Sequence, residues 1–341
     1  MKGALFGFGA VCEKAHVPAF QREPGFEIVA VADTDPGRRA AAARCFPGVR
    51  AYASPQALLE AEKGLDFVDI ATPPHLHAEQ SLLALEKRVH VLCEKPLVLR
   101  PQDLEALRRE SKARRRAVFP VHNWKHAPLF EKLHELVADK VIGPIRHIEW
   151  HALRTQPSIV VGKGNWRTDR LLSGGGILMD HGWHAFYLLG WILGKEPLRA
   201  WGILGFPHPV HKGGRADSED EATCLIEYPR ASAVAHFTWR ATGRGHWGVL
   251  YGGTGTILVR DDRLIVVRDG GPEQTYVFPE PLSKGSAHPD WFQGTLRDFR
   301  AATADLSLAE AALEEAGRCL RLLEQLYRQE RPSETECRQT A

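Results

Sequence analysis

Nothing in this chain is long and apolar enough to cross a bilayer: no apolar run approaches the roughly 20 residues that a membrane span requires. Net charge is also missing. The 44 Lys and Arg residues stand against 42 Asp and Glu, a formal balance of +2, which excludes the basic excess that nucleic acid or an anionic membrane surface would need. The run Arg108, Arg109, Lys112, Arg114, Arg115 and Arg116 closes an expected helix and reads as its solvated end, where cations complement the dipole. Six cysteines, Cys12, Cys45, Cys93, Cys224, Cys319 and Cys337, show neither a C-x-x-C pair nor metal spacing and read as reduced thiols. The opening apolar stretch is broken by glycines and meets Glu13 and Lys14 without a small-x-small site. It fails as a secretory signal, and cytoplasmic residence is expected.

What is present is an ordinary globular composition, 44% hydrophobic and 25% charged, over 341 residues, more than one hydrophobic core usually serves. The first third alternates short apolar runs with helical stretches, the pattern of βαβ units in a parallel sheet. Strands are expected over 3–7, 27–32, 67–71, 89–93 and 117–121, with helices over 36–45, 55–63, 78–87 and 101–114. Beyond residue 121 come "IRHIEWHAL", "EATCLIEYP", "SAVAHFTWR", "WGVLYGGTGTILVR" and "RLIVVRDG", strand-like and joined by short turns, which suggests an antiparallel sheet. Helical character returns in "LMDHGWHAFYLLGWIL", over 289–302 and over 306–328, before a polar tail from 332. No repeat or low-complexity linker separates the parts, so they are expected to share an interface.

The first chemical motif is "GFGAVC". Gly7 and Gly9 follow a strand and precede a helix, so the chain turns sharply and the amides of Phe8, Ala10 and Val11 approach a pyrophosphate. Asp33 ends the second strand, where a carboxylate accepts hydrogen bonds from an adenosine ribose and repels a 2′-phosphate. That favours NAD over NADP. The third glycine of the fingerprint is absent, and Cys12 stands in its place. In "ATPPHLH", Thr72, Pro73 and His75 border the expected cofactor crevice at a strand's carboxyl end. His75 and His77 have no nearby carboxylate or cysteine to complete a metal set, and no metal is expected. In "CEKPL", Glu94 and Lys95 fall at another such strand end, where a lysine can donate to a substrate hydroxyl. In "GGGILMDHGWH", Asp180 and His184 are four apart and share a helix face. They form an acid/base pair, a surface pair or half a metal site on spacing alone, and the preceding glycines would let backbone approach a ligand.

G-F-G, V-A-D, A-T-P-P-H-L-H, C-E-K-P-L and G-G-G-x-L-x-D-x-G-x-H, in this order, resemble the Gfo/Idh/MocA family of glucose-fructose oxidoreductase and inositol dehydrogenase relatives. The resemblance extends to "NWR" and "HPDWF" and spans most of the chain. It implies an α/β architecture: an N-terminal Rossmann domain (1–122) and a C-terminal α/β domain (123–331) with a large, mostly antiparallel open sheet, through which dimers or tetramers form; a tail (332–341) follows. It implies catalytic Lys95, Asp180 and His184, with Asn123, Trp166 and Arg167 beside the substrate. Lys125 and His126 stand where relatives often carry N-x-R. Trp124, Trp166 and Trp183 are candidate walls against sugar rings, or core residues. The expected reaction moves hydride between NAD and a secondary alcohol of a sugar, sugar derivative or cyclitol. Redox-neutral glycoside hydrolysis on retained NAD and non-catalytic NAD-binding regulation are the alternatives.

Overall fold

A computed structural model describes residues 1–158, 165–206, 218–285 and 287–329; Cys337 and the expected tail lie outside the described residues. Its first sheet contains β1 (Lys2–Phe6), β2 (Glu27–Ala32), β3 (Arg50–Tyr52), β4 (Phe67–Ile70), β5 (His90–Cys93) and β6 (Val118–Pro120). The strands are parallel in the order β3-β2-β1-β4-β5-β6. Alternation along each strand divides its side chains between two cores. Ala4, Phe6, Val68, Ile70, Val91 and Cys93 pack on one side. Leu5, Val31, Phe67 and Leu92 pack on the other, against Phe292, Leu296 and Phe299 of the helix Pro289–Ala304. A helix far along the chain therefore closes one face of the first sheet.

The second sheet contains β7 (His147–Leu153), β8 (Arg199–Gly205), β9 (Glu221–Tyr228), β10 (Ala231–Thr238), β11 (Gly245–Tyr251), β12 (Gly255–Arg260), β13 (Arg263–Arg268) and β14 (Gln274–Val277). Its order is β14-β13-β12-β11-β7-β10-β9-β8. Every pair is antiparallel except β7 with β10. One face, with Ile148, Trp150, Cys224, Ile226 and Phe237, joins the larger core beneath the helix Trp183–Leu193. On the other face Trp201, Ile203 and Leu225 stay exposed.

Proline at the first helical position starts the helices at Pro36, Pro55, Pro101, Pro128 and Pro289, where its missing N–H costs nothing. Asp35 and Ser54 cap the first two with side-chain oxygens. These signals explain why the expected helices at 36–45 and 101–114 coincide with the observed ones; the expected helix at 306–328 coincides as well, capped by Asp305. Sequence reading misses β3, β8, β14 and the helix Pro128–Ala138, and it fuses β11 with β12. The missed strands lie at the ends of the two sheets and are partly exposed, so they lack the apolar run that marks the central strands.

Candidate active site

The loop after β1 turns at Gly7, whose φ of +85° suits glycine, and a Cβ there would lie 2.9 Å from Thr72 Cγ2. A Cβ on Gly9 would meet nothing within 4 Å, so open space lies over the loop. The first amide bond of the following helix runs from Glu13 N–H to Gly9 O, so the amides of Ala10, Val11 and Cys12 stand ahead of it. Across from them Asp33 accepts the Phe8 N–H at 2.7 Å and the Asp35 N–H at 2.8 Å. Amides at a helix start, clear space over a glycine and a fixed carboxylate at the end of β2 fit a dinucleotide's pyrophosphate and ribose.

Just behind this loop the helix widens into a π turn, Cys12–His16. His16, stacked on Phe292 with ring centroids 3.9 Å apart, reaches Asp69 of β4 at 2.7 Å and Glu94 at 3.0 Å. Burial would push this imidazole's pKa down; the two carboxylates outweigh it and raise it to about 10. The Glu94 side chain thus turns back into the protein and also accepts the Lys95 N–H. His77 stitches the neighbouring loops together, one ring nitrogen 2.8 Å from Thr72 O and the other 2.8 Å from Pro96 O. Both its nitrogens are spent on backbone. Thr72 donates to Gln80 Oε1, Pro73 leads into the turn Pro74–Leu76, and His75 is exposed there.

Lys95 points the other way, out of the first sheet. Its ammonium donates to Asp180 Oδ1 at 2.7 Å and to Asp180 O at 2.8 Å. Asp180 sits in a second π turn, Leu178–Gly182, the kind of insertion that often re-aims side chains at functional sites. Burial would raise the Asp180 pKa, but Lys95, His181 and Arg167 hold it well below the usual carboxylate range. The expected pairing of Asp180 with His184 gives way to different partners. His184, in the α-helical part, lies with Nδ1 2.8 Å from the Tyr187 hydroxyl, and that oxygen accepts the Trp124 N–H at 3.2 Å. The π turn separates two side chains that a regular helix would stack. Burial, then Lys95 and His181, push the His184 pKa down, so its imidazole is neutral.

Three glycines precede this turn, but the neighbour they admit is protein. A Cβ on Gly175 would lie 1.9 Å from the Tyr327 hydroxyl, and one on Gly176 would lie 1.7 Å from Glu219 O. The buried Glu219 carboxylate accepts the N–H groups of Gly176 and Leu178 at the start of the helix that carries Asp180. The glycine run therefore seats an internal anion, in place of the ligand contact expected from sequence.

Of the remaining candidates, Trp124 stacks on His184 with centroids 4.9 Å apart. Arg167 lies 4.3 Å over the Trp166 ring and acts electrostatically on Asp180. Asn123 begins the short turn Asn123–His126. Trp183 is buried in the core, where its indole donates to His122 Nε2 at 3.1 Å. An indole only donates, so His122 carries its proton on Nδ1 and donates it to Glu315 at 2.6 Å. Lys125 reaches the same carboxylate at 2.5 Å. Sequence reasoning misses His16, Tyr187, Glu315 and Arg154. Tyr187, three residues beyond His184 on one helix, carries a readable spacing; Glu315 lies 193 residues from His122 and carries none.

Comparison with known proteins matches this fold over most of the chain. Residues 1–122 match the oxidoreductase family with an NAD-binding Rossmann fold, and residues 130–258 match the GFO/IDH/MocA C-terminal domain. The chain belongs to the GFO/IDH/MocA oxidoreductase family. It is an NAD-binding oxidoreductase. A D-glucoside 3-dehydrogenase of Escherichia coli is 32% identical over 56% of this chain and 54% of its own length. The levoglucosan dehydrogenase of Pseudarthrobacter phenanthrenivorans is 26% identical over 75% of this chain and 72% of its own length. The match to the first of these spans about half of that relative. A structure of levoglucosan dehydrogenase with NADH and levoglucosan superimposes with a TM-score of 0.81 at 21% identity, covering 96% of this chain and 97% of the other. Among the described residues no group of three or more His, Cys, Asp or Glu side chains could hold a metal, and no helix is long and apolar enough to cross a membrane.

Proposed function

We propose that this protein is a sugar dehydrogenase that oxidises a secondary alcohol of a sugar, sugar derivative or cyclitol with NAD. The observation that carries the reading is the 2.7 Å contact between Lys95 and Asp180 beside a neutral His184, at the carboxyl ends of the parallel strands. The names of the relatives described above support the substrate class. They lend no support to redox-neutral glycoside cleavage or to a purely regulatory role.

NAD held by Gly7, Phe8, Gly9, Ala10, Val11 and Asp33, and bordered by Thr72, Pro73 and His75, supplies the hydride acceptor. The Asp33 carboxylate favours NAD over NADP by repelling a 2′-phosphate. Lys95 donates to the reacting hydroxyl oxygen and stabilises its charge as the proton leaves. Asp180 fixes the ammonium. His184 takes the proton at Nε2. For this role His184 carries its proton on Nδ1, 2.8 Å from the Tyr187 oxygen, which leaves Nε2 free to accept. Asn123, Trp166 and Arg167 stand at the substrate side. Glu94 acts from behind, as the anchor of the loop that carries Lys95.

The division between cofactor part (1–122) and substrate part (123–331) belongs to the same proposal, as does cytoplasmic residence, which rests on the free cysteines Cys12, Cys45, Cys93, Cys224 and Cys319. The outward face of the second sheet, where Ile203 is 80% and Leu225 45% exposed, supports a homodimer or homotetramer, to be read by light scattering. The functional test is NADH absorbance after mixing the protein and NAD with sugars, sugar acids, aminosugars and cyclitols. Accumulation with one class establishes the dehydrogenase. Cofactor that co-purifies, is never consumed and supports glycoside cleavage would overturn it.

A further inference from the structure

Around Trp124, which stacks on His184, lies a set of buried polar groups, several of whose nitrogens have no hydrogen-bond partner among the described residues. Arg154 follows β7 directly, its side chain 2% exposed. Its Nη1 is spent on the carbonyls of Leu153 and Gly245, at 2.8 and 3.0 Å. Nε has no hydrogen-bond partner among the described residues, so the Nε edge of the guanidinium is unsatisfied. His246, at the start of β11, and His288 are 3% and 2% exposed; neither ring nitrogen of His246 has a hydrogen-bond partner among the described residues, and His288 has only Glu280 Oε1, 3.4 Å from its Nδ1. Trp124 joins these groups to the catalytic histidine: it stacks on His184, its ring lies 5.4 Å from His246 and 6.4 Å from His288, and His288 stacks on Trp291 at 3.5 Å. Arg154 acts electrostatically on His181, His246, His288 and Asp180.

The charges in this space are unequal. Lys95, Arg154 and Arg167 face Asp180, which Lys95 already neutralises, while the half-buried Glu280 lies against His288. At the rim, Arg244 holds the carbonyls of Ser283 and Gly285, and Asp261 is turned to Ser283. A buried guanidinium without a directly paired counter-ion is costly unless a ligand supplies one, and buried nitrogens without partners, such as Arg154 Nε and both ring nitrogens of His246, do not persist in a dry core. The open Nε side of a guanidinium matches a carboxylate with two parallel hydrogen bonds.

We propose that the substrate carries a carboxylate, bound by Arg154 with His246 and His288 donating beside it, so that the alcohol oxidised belongs to a sugar acid. The proposal rests on the dehydrogenase reading above and narrows its substrate. One charge favours a carboxylate over a phosphate dianion, because the two histidines are neutral: burial, then Arg154, lowers both of their pKa values.

The test is calorimetric titration of the NAD-saturated protein with D-glucuronate, D-galacturonate and D-gluconate, each against its neutral counterpart D-glucose, D-galactose or D-glucitol, and with glucose 6-phosphate. NADH formation is followed in parallel. At least one acid is expected to bind about 10- to 100-fold more tightly than its neutral counterpart, the worth of one charged hydrogen-bonded pair. Arg154→Met should remove that difference. Arg154→Lys, which keeps the charge but loses the fork, should recover little of it, and a melting curve checks that each variant is folded. Equal or tighter binding of every neutral sugar, or no acid binding at all, overturns the proposal, as does a preference that survives in both variants. Tighter binding of glucose 6-phosphate overturns the carboxylate. NADH formed only from neutral sugars leaves the dehydrogenase standing without this inference, whereas acid binding with no NADH from any sugar sinks the dehydrogenase reading alone.

Discussion

His16 and His184 are both buried, yet their surroundings drive them to opposite protonation states. His16 stands between Asp69 and Glu94, and two carboxylates outweigh its desolvation, so it is an imidazolium locked into the first sheet. His184 has Lys95 and His181 for neighbours, which add to the cost of burial and leave it neutral. The difference teaches what each charge is for. A fully paired ion holds a loop in place, and a neutral base beside a paired lysine can exchange a proton with a bound alcohol.

The sharpest way to break this comparison is to remove the lysine that separates the two networks. Lys95→Met should lower kcat/KM by about 10³-fold or more while the affinity for NADH, read by fluorescence titration, stays near that of the wild type. Turnover like the wild type's would take Lys95 out of the mechanism. Next comes His16→Leu, which leaves Asp69 and Glu94 buried without their cation. It should cost about 3–5 kcal/mol of stability in chemical denaturation. A loss below about 1 kcal/mol would mean that the triad is not an ion cluster.

Tyr187→Phe is gentler. The ring and its stacking on His122, centroids 4.1 Å apart, are kept, and only the hydroxyl 2.8 Å from His184 Nδ1 goes. A roughly tenfold fall in kcat with KM little changed is expected, with a shifted lower limb in the pH–rate profile. An unchanged profile would make the tyrosine mere packing.

The smallest effects are slopes of stability against pH, and the two histidine classes should give opposite ones. His16 has a folded pKa of about 10, above its ordinary 6.5, so its contribution is complete below pH 6.5 and is lost as pH rises toward 10. His288 is lowered to about 4 by burial and then Arg154, so the folded state binds fewer protons than the unfolded chain between pH 4 and 6.5. Stability therefore falls as pH drops through that window. The alkaline slope should flatten in His16→Leu, and the acid slope should remain.

Much of the first sheet is legible in the sequence because its central strands are short apolar runs ended by residues proposed to hold the cofactor and do the chemistry. Asp33, Thr72, Glu94 and Lys95 all follow such runs, and a parallel sheet brings those ends together. The spacing of Asp180 and His184 identifies the residues but misassigns the partnership, because a π turn inserts where a regular helix is assumed. The glycine run reads as an approach to a ligand, when its occupant is Glu219, 43 residues away from Gly176. Arg154 and His246 carry no motif, and His288, which opens "HPDWF", has nothing local that ties it to them. They meet only because β7 ends beside the start of β11 and the chain returns to Trp291.

By itself, then, the sequence determined the βαβ order and the dinucleotide loop and singled out Lys95, Asp180 and His184 as the proposed catalytic set, since each depends on local spacing and on which residues can bury both faces of a strand. Only the tertiary structure decided which side chains are charged and which partner each holds. Those properties depend on desolvation and on Coulomb forces between groups tens to hundreds of residues apart, such as His122 and Glu315, and no local pattern encodes them.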